Sequence, residues 1–260
     1  PSINSIYYSP VKSLSFTNLN KTLIKKNNGI LNDRIFSFSR NINFEDSKII
    51  EKFPKKRKLN NFLTLKNSPV LNKYNFTYDE KKLILFKDFK EIISIPSEDR
   101  NYYKLLSDTL IKLEDSLLEP VFLLKNIIHP FFDTTHSNFV SNTISLININ
   151  SIKDLEKNIN QNIEFERFRG NIYIDGLNCW EERNWINKVI MINYVPFKVE
   201  KHITRCSATN LKPNTSNVTI NLPMALKKHY NHIDMGVYIT PLDDGLIKSG
   251  DKVILNENFF

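Results

Sequence analysis

A chain of 260 residues with 41% hydrophobic and 12% aromatic content has enough apolar material for one large or two smaller packed domains, which excludes disorder over most of its length. Its net charge of +8 accompanies an abundance of Lys, Asn and Ile throughout. The one dense basic run, Lys55–Lys58, stands in a polar connection without interleaved aromatics and reads as a solvated loop, so no nucleic-acid partner is expected, while an anionic small molecule or an acidic protein remains compatible.

The first hundred residues read mainly as strands. In "RIFSFSRNI", Ile35, Phe36 and Phe38 stand among polar residues, and "KKLILFKDF" is a short apolar run between lysines. The period then changes: Leu106, Leu110, Leu113 and Leu117 recur every three or four residues, which predicts a helix with one apolar face that stops at Pro120. This helix marks the expected boundary between two modules. After it come a strand at "NTISLININ" and a helix predicted to start at Ser151 as its cap. Strand-like runs follow at "FRGNIYIDG", "NKVIMINYVPFKVEKHITRC", "NVTINL" and "MGVYIT", with a short helix after Pro223. Gly245 and Gly250 mark turns in the closing segment. The expected fold is mainly β with some α, an α+β chain of two barrel-like units.

The local signals for chemistry are sparse. Phosphate-binding glycine loops are absent from the sequence, and His229 and His232 lack the third ligand of a zinc site. Two cysteines, Cys179 and Cys206, make neither a secreted disulfide framework nor a tetrahedral Cys-rich zinc site. No apolar stretch reaches the roughly 18–20 residues that span a bilayer, and the first residues lack the pattern of a signal peptide. A soluble, cytoplasmic protein without a membrane partner is expected. Four stretches draw attention together. "PVKSLSF" supplies Lys12 and Ser13, "NDRIFSF" supplies Asp33 and Arg34, "FRGNIYIDG" carries Arg169 and Asn171 at alternate positions, and "TRCSAT" sets Arg205 beside Cys206. Cations and hydroxyls suit phosphate oxygens, Arg and Asn suit the polar edge of a heterocycle, and a thiolate suits a soft metal.

In order and approximate spacing these stretches resemble the MOSC family, the fold named for the C-terminal region of molybdenum-cofactor sulfurases, preceded by its N-terminal β-barrel domain. "IYYSPVKSLSF", "DRIFSF" and "FLTLKNSPVL" are similar to the N-terminal domain. "FRGNIYIDGLNCWEERNW", "RCSATNLKPNT" and "MGVYITPLDDGLIKSGDKVIL" are similar to the MOSC core. The resemblance implies an N-terminal module over residues 1–118, connecting helix included, and a MOSC domain over 119–260. It also implies a molybdenum pterin cofactor (molybdopterin), with Cys206 as the metal ligand and catalytic residue. Cofactor contacts are implied from Lys12, Ser13, Arg34, Arg169 and Asn171, with Ser141 and Asn142 as equivalents of a small polar pair and Arg205 assisting the thiolate. Asp175, Glu181 and Glu182 are candidate acids near the site. At family level the resemblance also implies pyridoxal phosphate binding.

Enzymes of this family, including the mitochondrial amidoxime-reducing component and its bacterial relatives, reduce N-hydroxylated compounds by two electrons. A small-molecule substrate is therefore implied, with electrons from a separate donor protein of reductase, ferredoxin or cytochrome type. The alternatives are a sulfur carrier with a persulfide on Cys206 and a cofactor carrier without turnover. Two departures stand out: Gly170 replaces a proline of the family pattern, and Lys212 stands where Asp often precedes Pro213.

Overall fold

Ile3 and Ile6 stand three residues apart in β1 (Ser2–Tyr8), and both are buried because the register shifts between Ile3 and Ser5. The computed structural model describes residues 1–14, 16–132 and 142–256. Three short strands follow, β2 (Thr17–Leu19), β3 (Lys21–Lys25) and β4 (Gly29–Ile30), then β5 (Phe36–Phe38) and helix α1 (Phe44–Lys52). Strands β6 (Tyr74–Tyr78), β7 (Lys82–Lys87) and β8 (Lys90–Pro96) form an antiparallel meander ahead of helix α2 (Tyr103–Leu113) and β9 (Leu123–Lys125). The second half runs β10 (Ile144–Asn148), α3 (Ile149–Ile159), β11 (Ile172–Asp175), β12 (Val189–Ile192) and β13 (Val195–Thr204). It ends with α4 (Leu222–Tyr230), β14 (Asp234–Pro241), β15 (Gly245–Lys248) and β16 (Val253–Asn256).

The main sheet has eight strands in the order β16-β12-β13-β14-β10-β11-β1-β2, antiparallel except where β11 lies parallel to β10 through the α3 crossover. Backbone bonds then join its two sides: Ile3 N donates to Asp251 O at 2.8 Å, Gly250 N to Ile3 O at 2.8 Å and Val253 N to Pro1 O at 3.0 Å. Ser2 bridges Lys252 in the same place, so the ring from β16 round to β1 closes on itself. Its interior holds Ile3 and Ile6 of β1, Ile144 and Leu146 of β10, Val237 and Ile239 of β14, and Phe197 and Val199 of β13, all buried.

A second core lies among β5–β9 and α2, built from residues such as Phe36, Phe38, Phe76, Leu83, Leu106 and Leu110. The strand-dominated α+β class is as expected. The sheets, however, cross the expected division at 118/119. Residues 2–30 pair with C-terminal strands, β1 with β11 and β3 with β15, because Ile3, Ile6, Ile24 and Ile30 bury their side chains in the core of the C-terminal half.

Several element ends differ from the sequence reading. Helix α2 stops at Leu113, because Glu114 turns extended to accept from Tyr74 Oη at 2.7 Å and to pair with Lys73 at 2.6 Å. Leu117 still reaches the same core from the following turn. Asn148, not Ser151, caps α3. Helix α1, which the sequence reading misses, is capped by Asn43 accepting from Asp46 N at 2.8 Å. Among the described residues no helix is long and apolar enough to cross a membrane.

Gly236 lies where β14 runs against β10, at φ +78°. A Cβ there would stand 2.5 Å from Leu146 O and 2.9 Å from Ile147 Cγ1. Gly236→Ala therefore combines a disfavoured backbone with a collision against main chain, and is expected to cost about 3 kcal/mol, or roughly 8 °C in melting temperature. A melting temperature within about a degree of wild type would contradict this packing.

Candidate functional site

The loop after β1 and the loop before β5 are stitched together by main-chain bonds. Arg34 N donates to Ser9 O at 2.6 Å, Phe36 N to Pro10 O at 2.9 Å and Lys12 N to Phe36 O at 2.8 Å. The buried carboxylate of Asp33 completes the join: Oδ1 accepts from Ser9 N at 2.7 Å, while Oδ2 accepts from Arg34 Nη1 at 2.5 Å and Asn171 Nδ2 at 3.2 Å. Burial pushes the Asp33 carboxyl above its ordinary range, and the Arg34 charge opposes that shift.

Asn171 is the hub beneath this join. Its Oδ1 accepts from Ser145 N at 3.2 Å and Ser145 Oγ at 2.9 Å, and its Nδ2 donates to Tyr7 O as well as to Asp33. One amide thus fastens β10, the strand leading to the loop after β1, and the Asp33–Arg34 pair. Two positions earlier, Arg169 caps the short turn Phe165–Phe168 in the left-handed region, with its guanidinium 5.6 Å from the Phe16 ring centroid. Desolvation, and then the like charge of Arg34, lower its pKa to about 10, so it stays cationic at neutral pH.

Cys206 follows the end of β13 and caps the turn Ser207–Asn210, with its carbonyl accepting from Thr209 N at 3.1 Å and Thr209 Oγ1 at 2.8 Å. Both cysteines are free and exposed. Lys12, Ser13, Arg34, Arg169, Asn171 and Cys206 line one cleft of about 410 Å³. Ser13, Arg34 and Arg169 all hold positive φ, at 65°, 55° and 50°. Side chains other than Gly, Asn and Asp adopt this region at a steric cost, so the surrounding bonds must hold them there.

The cleft also has lining residues that sequence reasoning misses, among them Lys66, Lys201, Tyr238, Thr143 and Phe132. Its wall therefore carries five cationic side chains, Lys12, Arg34, Lys66, Arg169 and Lys201, and no carboxylate among the described lining residues. Such a cleft favours an anion. Among the described residues no group of three or more His, Cys, Asp and Glu side chains could hold a metal ion. A metal bound at Cys206 would have to bring most of its ligands with it, which is what a thiolate-accepting, phosphate-bearing cofactor does. The donor set fits such a group.

Other expected residues lie elsewhere. Arg205 is buried behind the thiol, not in the cleft: its Nε and Nη2 donate to Met235 O and its Nη1 to Phe168 O at 2.8 Å, tying β14 to the turn that carries Arg169. Asn142 does not line the cleft either; its Nδ2 donates to Asn28 O at 3.1 Å and to Asn28 Oδ1. Ser141 lies outside the described residues. None of Asp175, Glu181 and Glu182 reaches the cleft wall. Within the basic run, Arg57 is a buried clamp rather than a solvated side chain, donating to Ile50 O at 2.8 Å, Pro130 O at 2.8 Å and Glu51 O at 3.0 Å.

Glu182 is fully buried, accepting from Asn148 Nδ2 at 3.0 Å and Ser151 Oγ at 2.8 Å. Desolvation raises its pKa above the ordinary value, so the folded state holds its proton more tightly than the unfolded chain. Its contribution to stability is present below the ordinary carboxylate range and is lost as pH rises through the raised value. Glu182→Gln lacks this titration, and the melting-temperature difference between the two proteins is expected to move in favour of Glu182→Gln from about pH 4 to about pH 7. A difference that stays constant, or moves the other way, would contradict the assignment.

Residues 133–254 match the MOSC domain family model. A rat protein (Rattus norvegicus), mitochondrial amidoxime reducing component 2, is 27% identical over 122 residues, which is 42% of this chain and 36% of the relative. The chain thus aligns with about a third of that protein's length. Among solved structures, the YUAD protein from Bacillus subtilis is similar with a TM-score of 0.46 and 10% identity, covering 98% of this chain and 94% of that one. YiiM from Geobacillus stearothermophilus is similar with a TM-score of 0.36 and 18% identity, over 44% of this chain and 54% of that one.

Proposed function

We propose that this chain, whose residues 133–254 match the MOSC domain family model, binds a molybdenum pterin cofactor in the cleft and reduces N-hydroxylated or N-oxide small molecules. The observation that carries the reading is the convergence of Lys12, Ser13, Arg34, Arg169 and Cys206, from four separate stretches of sequence, on a single cationic cleft. Cys206 supplies the thiolate ligand. Lys12, Ser13 and Arg34 hold the phosphate, and Arg169 adds a cation that stays charged at neutral pH. Asn171 acts one step back, since its amide is committed to Ser145, Tyr7 and Asp33 and so fixes the carboxylate that orients Arg34.

When bound, the cofactor supplies two-electron redox chemistry at molybdenum. Reduction of an amidoxime takes two electrons and two protons and yields the amidine and water. The electrons come from a separate donor protein, and the lining residues position the substrate beside Cys206.

A single-turnover assay tests this. Cofactor-loaded protein is reduced chemically, freed of excess reductant and mixed with benzamidoxime, and one benzamidine per molybdenum is expected. Molybdenum bound without product would make the chain a carrier. A persulfide on Cys206 without molybdenum would make it a sulfur carrier.

A further inference from the structure

Val195, Phe197 and Val199 of β13 face the barrel core at alternate positions. Unbroken alternation would send Lys201 in after them. The register prevents this. Val199 lies opposite Ile239, yet Lys201 lies opposite Tyr238, so β13 advances two residues while β14 advances one. A bulge of this kind turns the following side chain to the other face. Lys201 is thereby moved from the core side to the side of Tyr238, and both line the cleft that holds Cys206. The Lys201 ammonium stands 6.0 Å from the Tyr238 ring centroid. Neither Lys201 nor Lys66, which enters the cleft from the loop before β6, has a side-chain ion pair among the described residues.

A lysine steered out of a core by a bulge, into a cleft without a carboxylate among its described lining residues, is placed for an anion. The phosphate is already served by Lys12, Ser13 and Arg34. We infer that Lys201, aided by Lys66, forms a second anion subsite on the Cys206 wall and selects substrates that carry a carboxylate or phosphate group. The substrate part of this inference rests on the reductase reading; the anion subsite does not.

Two measurements separate them. In the 260-residue chain produced without cofactor, Cys206 is alkylated with iodoacetate and with neutral iodoacetamide, and Cys179 serves as the reference thiol in the same molecule. The ratio of the two rates cancels any change in thiol ionisation and reports recruitment of the anion. The ratio at Cys206 is expected to exceed that at Cys179. It should fall by about three-fold in Lys201→Met and recover in Lys201→Arg, since a charge lining a cleft of one sign changes local anion concentration by such factors. An unchanged ratio in a folded Lys201→Met protein overturns the subsite.

The second arm uses loaded, chemically reduced protein with benzamidoxime and its carboxylated derivative. Lys201→Met should lower the second-order rate constant for the carboxylate about ten-fold more than that for the neutral substrate. If Lys201→Met instead lowers molybdenum content and leaves discrimination intact, the charge serves the cofactor and the substrate assignment is wrong. If the thiol ratio falls as expected but neither compound is reduced, the subsite stands and the reductase reading fails.

Discussion

Asn171→Leu is expected to destabilise the protein by about 4 kcal/mol and to lower its melting temperature by roughly 10 °C. Leucine has similar bulk but neither the carbonyl that accepts from Ser145 nor the amide that donates to Tyr7 O and Asp33. Each buried polar group stranded in this way costs about 1–3 kcal/mol, and Asp33 is itself almost fully buried. Asn171→Asp keeps the acceptor and loses the donor while adding a second carboxylate beside Asp33, so it is expected to fail as well. Either substitution also releases Arg34 and should reduce cofactor retention beyond the loss of fold. Melting curves together with molybdenum content of the folded fraction check both effects. An Asn171→Leu protein as stable as wild type would show that the amide is not the hub.

How much of the site is legible in the sequence depends on direction as much as on identity. Lys12, Ser13, Arg34, Arg169 and Cys206 lie in short motifs whose order survives in one dimension, and the fold brings them to one cleft. The sequence reading sets Arg205 in the site beside Cys206, but neighbouring residues of an extended chain point to opposite sides, so a thiol in the cleft sends the preceding guanidinium behind it. Strand alternation pairs Arg169 with Asn171, yet β11 begins at Ile172 and Arg169 reaches the cleft from a left-handed cap. Lys201 is invisible, since its position depends on a one-residue bulge that the pattern of β13 does not announce. Pairing across the expected module boundary is hidden for a related reason. A helical period marks α2 well, but nothing local in β1 says that its partner is β11, about 170 residues away.

Gly170 stands where the resembling MOSC pattern has proline. Its N–H donates to Tyr173 Oη at 2.9 Å, a bond that a proline could not make, and a Cβ there would stand 2.5 Å from Ile147 Cδ1. The turn that presents Arg169 is therefore held in part by a bond that needs the Gly170 N–H.

Cys206→Ser is expected to have the largest effect of all, because Cys206 is the proposed molybdenum ligand. Serine preserves the shape and the turn, whose bonds use the main-chain carbonyl, but a hydroxyl does not ionise to a soft anionic ligand. The direct measurement is molybdenum per chain in wild type and Cys206→Ser, both purified from a host that makes the cofactor. About one atom per wild-type chain and a near-complete loss in the folded variant is the predicted result. Equal molybdenum in the two proteins, or none in the wild type, would contradict it.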